Sequence, residues 1–212
     1  MESNATQSRV PIEDIRRVEL ITATLRVISA QGFERTTVRD IARAADASVG
    51  SVNYYYRSKD DLLRAAVAET DARFRSQVRQ AVAEASDYPS KLARVVDLCF
   101  GDDGDDAPDW AVFVDFWYRA SRQESYRTIF EEAHEEWIDL LSQVLANGAA
   151  SGVFFLSADP RDEAIAFAAM IDGLALYTRV TTRVDTETAR RIAKEHIDSL
   201  CRKSAPRRRV KR

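Results

Sequence analysis

Cysteine, histidine, proline and glycine are all scarce in this 212-residue chain, with two, two, five and seven residues respectively. Cys99 and Cys201 stand far apart, so neither a disulfide scaffold nor a zinc knuckle is available. A reducing, cytoplasmic setting suits them. So few glycines and prolines argue against an all-β protein built on tight turns. The opening MESNATQSRVPIED has no apolar core after a basic stretch, so no signal peptide is expected. The longest uncharged run, Leu140 to Ala158, is broken by Asn147-Gly148 and Ser151-Gly152, and no membrane span is expected. GxGxxG, GxxxxGK and GxSxG are absent, and no nucleophile stands with a base. No enzyme activity, cofactor or metal is therefore expected. Glu131, His134 and Glu135 read as a solvated helix face, and the acidic stretch 102–109 lacks calcium-loop spacing.

What is present is a core and an uneven charge. Hydrophobic residues make up 45% and charged residues 31%, as in a globular protein. The length suits one domain, or a small module fused to a larger one. The net charge of −3 divides sharply: +2 over residues 1–59, −12 over 60–201 and +7 over 202–212. An anionic partner would meet an end of the chain rather than its acidic body.

The dominant period is helical. Val18, Ile21, Leu25 and Ile28 recur at three- and four-residue steps between Ile15 and Ala30, and Gln31-Gly32 ends that helix. Thr37 caps a short helix, with Asp40 three residues on and Val38, Ile41, Ala42 and Ala45 on its apolar side. Asp46-Ala47-Ser48 breaks it, and a second short helix runs through Tyr54. Ser58 caps a longer helix to about Ala85. The short pair joined by a tight turn is a helix-turn-helix pattern. Tyr88-Pro89 suggests a break. Further helices are predicted over 90–100, 108–121, 124–147, 160–183 and 186–202, with Asp159-Pro160 as cap and first turn of the fourth. The fold class is all-α. The expected organisation is a flexible N-terminus (1–11), a helix-turn-helix DNA-binding domain (12–60), a ligand-binding and dimerisation body (61–202) and a basic disordered tail (203–212).

The segment TTVRDIARAADASVGSVNYYYRSKDDLL (36–63) carries the function. Small residues at the start of its second helix allow a backbone to approach DNA. Asn53 and the tyrosines can reach base edges and phosphates in a major groove. Lys59 adds charge at a helix start, a phosphate site. An ordinary helical hairpin with surface tyrosines is the weaker alternative.

The segment resembles the TetR/AcrR family of regulators. The resemblance rests on Gly32-Phe33, Thr36-Thr37-Val38, Ile41-Ala42-x-Ala44-Ala45, Tyr55-Tyr56 and Ser58-Lys59-x-x-Leu62. It implies an all-α homodimer with a homeodomain-like three-helix head. It assigns DNA contacts to Thr37, Arg39, Val49, Gly50, Ser51, Asn53, Tyr54, Tyr55 and Lys59. Two positions depart from the family pattern. Asp46 stands where the turn usually has glycine, although Asp tolerates a left-handed backbone. Asn53 stands where many members have tyrosine, so base preference should differ.

The body is similar to the choline-responsive BetI-type regulators, through WAVFVDFWYRA (110–120), AAMIDGLALYTRV (168–180) and the D-T-E-T-A run from Asp185. That resemblance implies a dimer interface on the last two helices. Ala164, Ala168, Ala175 and Leu176 are expected on the first, and Ile192, Ala193, Ile197 and Leu200 on the second. Trp110, Phe113, Trp117, Asp172 and Tyr177 are candidate ligand residues, since an aromatic box with a carboxylate favours a cation. Plain core packing is the alternative for each aromatic. The expected partners are double-stranded operator DNA, a small cationic or amphipathic effector and a second copy of the chain. The resulting reading is a repressor released by its effector. A ligand-independent regulator, or a helical enzyme using the aromatic pocket, is the rival.

Overall fold

The computed structural model describes residues 12–100 and 110–202. Among the described residues are nine helices and no strand, as an all-α fold requires. They are α1 (Ile12–Gln31), α2 (Val38–Ala44), α3 (Val49–Tyr55), α4 (Lys59–Glu84), α5 (Tyr88–Cys99), α6 (Trp110–Ala120), α7 (Glu124–Ala150), α8 (Pro160–Val180) and α9 (Thr186–Leu200). The expected flexible N-terminus, acidic loop and basic tail lie outside the described residues. No described helix is long and apolar enough to cross a membrane. Contacts divide the chain into two units, Met1–Thr70 and Asp71–Arg212, so the division falls inside α4. Tyr88-Pro89 marks no break between units. It forms the first turn of α5, where the Asp87 carboxylate accepts from the Ser90 amide at 2.8 Å.

In the first unit, Leu20, Ala23, Ile41, Ala42, Val52, Tyr56 and Leu62 form one core. Beyond α1, the Gly32 amide donates to the Ile28 carbonyl at 2.7 Å, and its positive φ of 77° turns the chain out of the helix. α2 starts on a full capping box. The Thr37 hydroxyl accepts from the Asp40 amide, and the Asp40 carboxylate accepts from the Thr37 amide at 3.0 Å. Those hydrogen bonds hold the Asp40 carboxyl below the usual carboxylate range. The α1 periodicity is followed only in part. Leu20, Ala23 and Ile28 are buried, whereas Val18 is 56% exposed.

In the second unit, α5, α7, α8 and α9 close over a core that includes Leu92, Val96, Leu141, Leu145, Phe167, Ile171 and Ile197. Polar contacts fix its edges. Lys194 pairs with Asp97 at 2.6 Å, and Arg190 donates to the Phe100 carbonyl, tying the end of α5 to the start of α9. Arg161 at the start of α8 grips Glu135 and Asp139 of α7. Phe154 folds back over the end of α7 against Gly148, where an added Cβ would come within 2.3 Å of the ring.

The α2–α3 turn hinges on Asp46, whose φ of 47° makes it the one non-glycine residue with positive φ among the described residues. A left-handed backbone costs an L-residue roughly 1–2 kcal/mol, less for Asp than for most. Asp46→Gly should therefore hold or raise stability in chemical denaturation, and Asp46→Val should lose about 1–2 kcal/mol. Equal stability of the two variants would contradict the strain assigned to this turn.

Candidate functional site

The first unit presents one face of a very short helix. Ser48 caps α3, its hydroxyl accepting from the Ser51 amide at 3.0 Å, and Tyr56 closes it, its amide donating to the Val52 carbonyl at 2.9 Å. Only Val52 of α3 is buried. Val49, Gly50 and Asn53 face outward, and Tyr54 is 75% exposed. Ser51 and Tyr55 are half-buried. Tyr55 meets Tyr54 edge-on, ring centroids 5.0 Å apart. On α2, Thr37 and Arg39 are exposed. The hydroxyl of Thr37 is already engaged in its capping box.

Gly50 is informative because the fold does not need it. A Cβ there would meet nothing nearer than the Ser48 hydroxyl, at 3.7 Å. Glycine in a helix normally destabilises it by about 0.5–1 kcal/mol relative to alanine. A small residue at this outward position suits something outside the chain that comes close to the backbone.

Lys59 is placed differently from a free surface cation. Its ammonium donates to the Phe33 carbonyl at 2.9 Å and lies 4.2 Å from the centre of the Phe33 ring. It thereby ties the start of α4 to the α1–α2 turn. An ammonium has three donors, so others remain for a phosphate.

In the second unit the structure brings together part of the expected ligand set. Trp110 lies 5.8 Å from Phe113 and 6.0 Å from Trp117, centroid to centroid, and all three are half-buried. Trp110 Nε1 donates to the Cys99 carbonyl at 3.1 Å. The charge of Asp172 reaches the thiol of that same Cys99, which burial and Asp172 together push far up. Asp172 itself is raised to about 6 by burial. No Lys or Arg pairs with it among the described residues.

Two expectations need correcting. Tyr177 does not join this group. It lies five residues beyond Asp172, about 140° round the helix, and is 54% exposed. The stripe expected to face a second copy is also mostly internal. Ala164, Ala168, Ala175, Ala193, Ile197 and Leu200 are buried in the unit's own core, and Leu176 and Ile192 are half-buried. α8 must pack against α7 and α9, and this stripe does so. The opposite stripe, Ala166, Ala169, Gly173, Leu176 and Val180, keeps the same three- and four-residue spacing, and of these only Leu176 is among the residues expected at the interface. Its signal was the small residues left over once the core stripe is removed.

A three-helix head with an outward two-turn helix, carried on a separate helical body, defines a helix-turn-helix regulator. Residues 20–66 match the model of bacterial regulatory proteins of the tetR family, and residues 89–202 match the C-terminal model of BetI-type transcriptional repressors. The HTH-type transcriptional regulator BetI of Burkholderia thailandensis is 32% identical over 91% of this chain and 96% of its own length. The regulator of that name from Burkholderia mallei is 31% identical over 91% and 96%. Among solved structures, a transcriptional regulator from Saccharomonospora viridis in complex with choline superposes with a TM-score of 0.79 at 23% identity, over 87% of this chain and 96% of its own. One from Pseudomonas aeruginosa gives 0.75 at 25%, over 94% and 96%. The chain belongs to the TetR family of transcriptional regulators, in its BetI-type branch. These families are regulators and not enzymes.

Burial of Asp172 yields a pH prediction. Its folded carboxyl is raised to about 6 from an ordinary 3.8, so the folded state holds that proton more tightly than the unfolded one. Stability should fall as pH rises from about 4 to 6 and stay lower above, by about 3 kcal/mol at most. Asp172→Asn should be the more stable protein above pH 6, with the difference vanishing near pH 4. A difference that does not change with pH in denaturant titrations would contradict this placement.

Proposed function

We propose that the chain is a dimeric, effector-responsive repressor, with residues 12–60 as its DNA-binding domain and 61–202 as its ligand-binding and dimerisation body. The observation that carries the DNA reading is the outward α3 face of Gly50, Asn53 and Tyr54, with a glycine that the fold itself does not require. Small and hydrogen-bonding side chains on a helix of this motif suit a major groove. Thr37, Arg39, Val49, Ser51, Tyr55 and Lys59 flank that face. DNA as a partner sets the cytoplasm as the place of action.

The effector reading rests on the cluster of Trp110, Phe113 and Trp117 and on the half-buried Asp172, whose charge reaches the Cys99 to which Trp110 bonds, in a body of net charge −12 over residues 60–201. Aromatic faces and a carboxylate favour a cation, and the acidic field opposes an anion. The choline bound to the Saccharomonospora viridis regulator supports the same ligand class. The effector must bind one disposition of the heads better than the other for DNA to be released. α4, which contributes residues to both units, is the physical link.

For the second copy, the outward face of α8 is the better seam. Val180 is 66% exposed and Tyr177 54%, and both lie within about 40° of Gly173 round the helix. An added Cβ at Gly173 would meet nothing within 4 Å in the chain. Large apolar side chains gathered on one exposed stripe are characteristic of an interaction site.

The DNA reading is tested in the full-length chain by gel shift. Gly50→Ala should raise fold stability by up to about 1 kcal/mol and still weaken DNA binding. Asn53→Ala and Tyr54→Ala should lose about 1–3 kcal/mol on a cognate duplex and less on random DNA. Undiminished binding by all three variants would refute the assignment. Choline added to the bound complex should release the duplex. Release by anions alone would overturn the charge argument.

Gly173→Glu tests the seam without disturbing the core. It should retain full helical circular dichroism and sediment as a monomer at micromolar concentration. A variant that remains dimeric would remove α8's outward face from the interface.

A further inference from the structure

The outward reading face of the head depends on very few anchors. α3 has seven residues and buries one of them, Val52. Beyond it, Tyr56 is buried as the closing residue. Tyr55, the side chain between this anchor and the exposed Tyr54, is only half-buried. What lies on its ring comes from another helix. The guanidinium of Arg17, on α1, sits 5.6 Å from the centre of the Tyr55 ring. Arg17 also lines one groove with Tyr56, Ala65 and Glu69. The Tyr56 hydroxyl feels both charges there: burial raises it, Arg17 lowers it and Glu69 raises it. Arg17 therefore meets both of the residues that end the recognition helix, and Tyr55 passes that contact edge-on to Tyr54.

We infer that Arg17 is a positioning residue for DNA reading, holding the Tyr55 ring, and through it Tyr54, in the orientation that distinguishes one sequence from another. The inference rests on the proposed DNA-binding role of the head. A planar guanidinium suits this task because it stacks on an aromatic face, which a compact ammonium does less well. Arg17 is itself exposed, so direct contact with a phosphate is the competing role, and the two leave different signatures.

The test uses the full-length chain with two duplexes of equal length: one enriched by the wild-type protein from a random pool, and a scramble of it. Arg17→Ala should lower the preference for the enriched duplex about tenfold. Affinity for the scramble should stay within about twofold, with the salt dependence unchanged. Arg17→Lys should not restore the preference. In a Tyr55→Leu background, Arg17→Ala should have no further effect on preference, because the ring it holds is gone. Equal weakening on both duplexes, with a salt slope shallower by about one unit and rescue by lysine, would make Arg17 a phosphate contact and overturn the inference. A lower melting temperature with an unchanged preference would reduce it to a structural residue and overturn it too. If the wild-type chain enriches no duplex at all, the DNA reading itself falls. If it enriches one and Arg17→Ala keeps the preference, only this inference falls.

Discussion

A two-turn helix cannot hold itself together in water. Nucleation is costly, and seven residues make too few backbone bonds to offset it. α3 exists because its surroundings supply what it lacks: the Ser48 cap, the Tyr56 closure, the single buried Val52 and a left-handed Asp46 that aims the chain into it. Lys59 braces the α1–α2 turn by its bond to the Phe33 carbonyl. The outward side chains are then free of structural duty. That freedom explains an unneeded glycine at position 50 and a tyrosine at 54 left largely in water. The proposed DNA-reading face is thus one that the fold itself does not use.

α8 meets a comparable demand in the second unit. One stripe closes the core, while the opposite stripe of small and apolar residues stays outside. Between them, Asp172 is half-buried with no cation paired to it among the described residues, and its partial burial raises its carboxyl. An aromatic group lies nearby, joined to it through Cys99. The cationic effector proposed above would relieve that carboxylate, and its affinity would then depend on the ionisation of Asp172.

Local signals were legible in the sequence. The helix order, the Thr37–Asp40 capping box, the Asp159-Pro160 start and the left-handed Asp46 each depend on neighbours a few residues away, and each holds in the structure. What stayed hidden depends on distant partners. Periodicity marks α8 as apolar nearly all round but cannot say which stripe turns inward, so it does not separate the buried Ala168 from the outward Gly173. Nor does it show that Val18 is 56% exposed. Lys59 bonds a carbonyl 26 positions earlier, and Arg17 meets Tyr55 from another helix. Tyr177 shares a helix with Asp172, yet their spacing puts them on different sides.

The central claim is that two copies of this head read a specific DNA sequence. Enrichment of a random duplex library by the full-length wild-type chain, followed by sequencing, tests it most directly. The account predicts an inverted repeat whose half-sites are separated by about one helical turn or a multiple of it, as paired recognition helices require. Enrichment of no motif, or of a single unrepeated half-site, would contradict it.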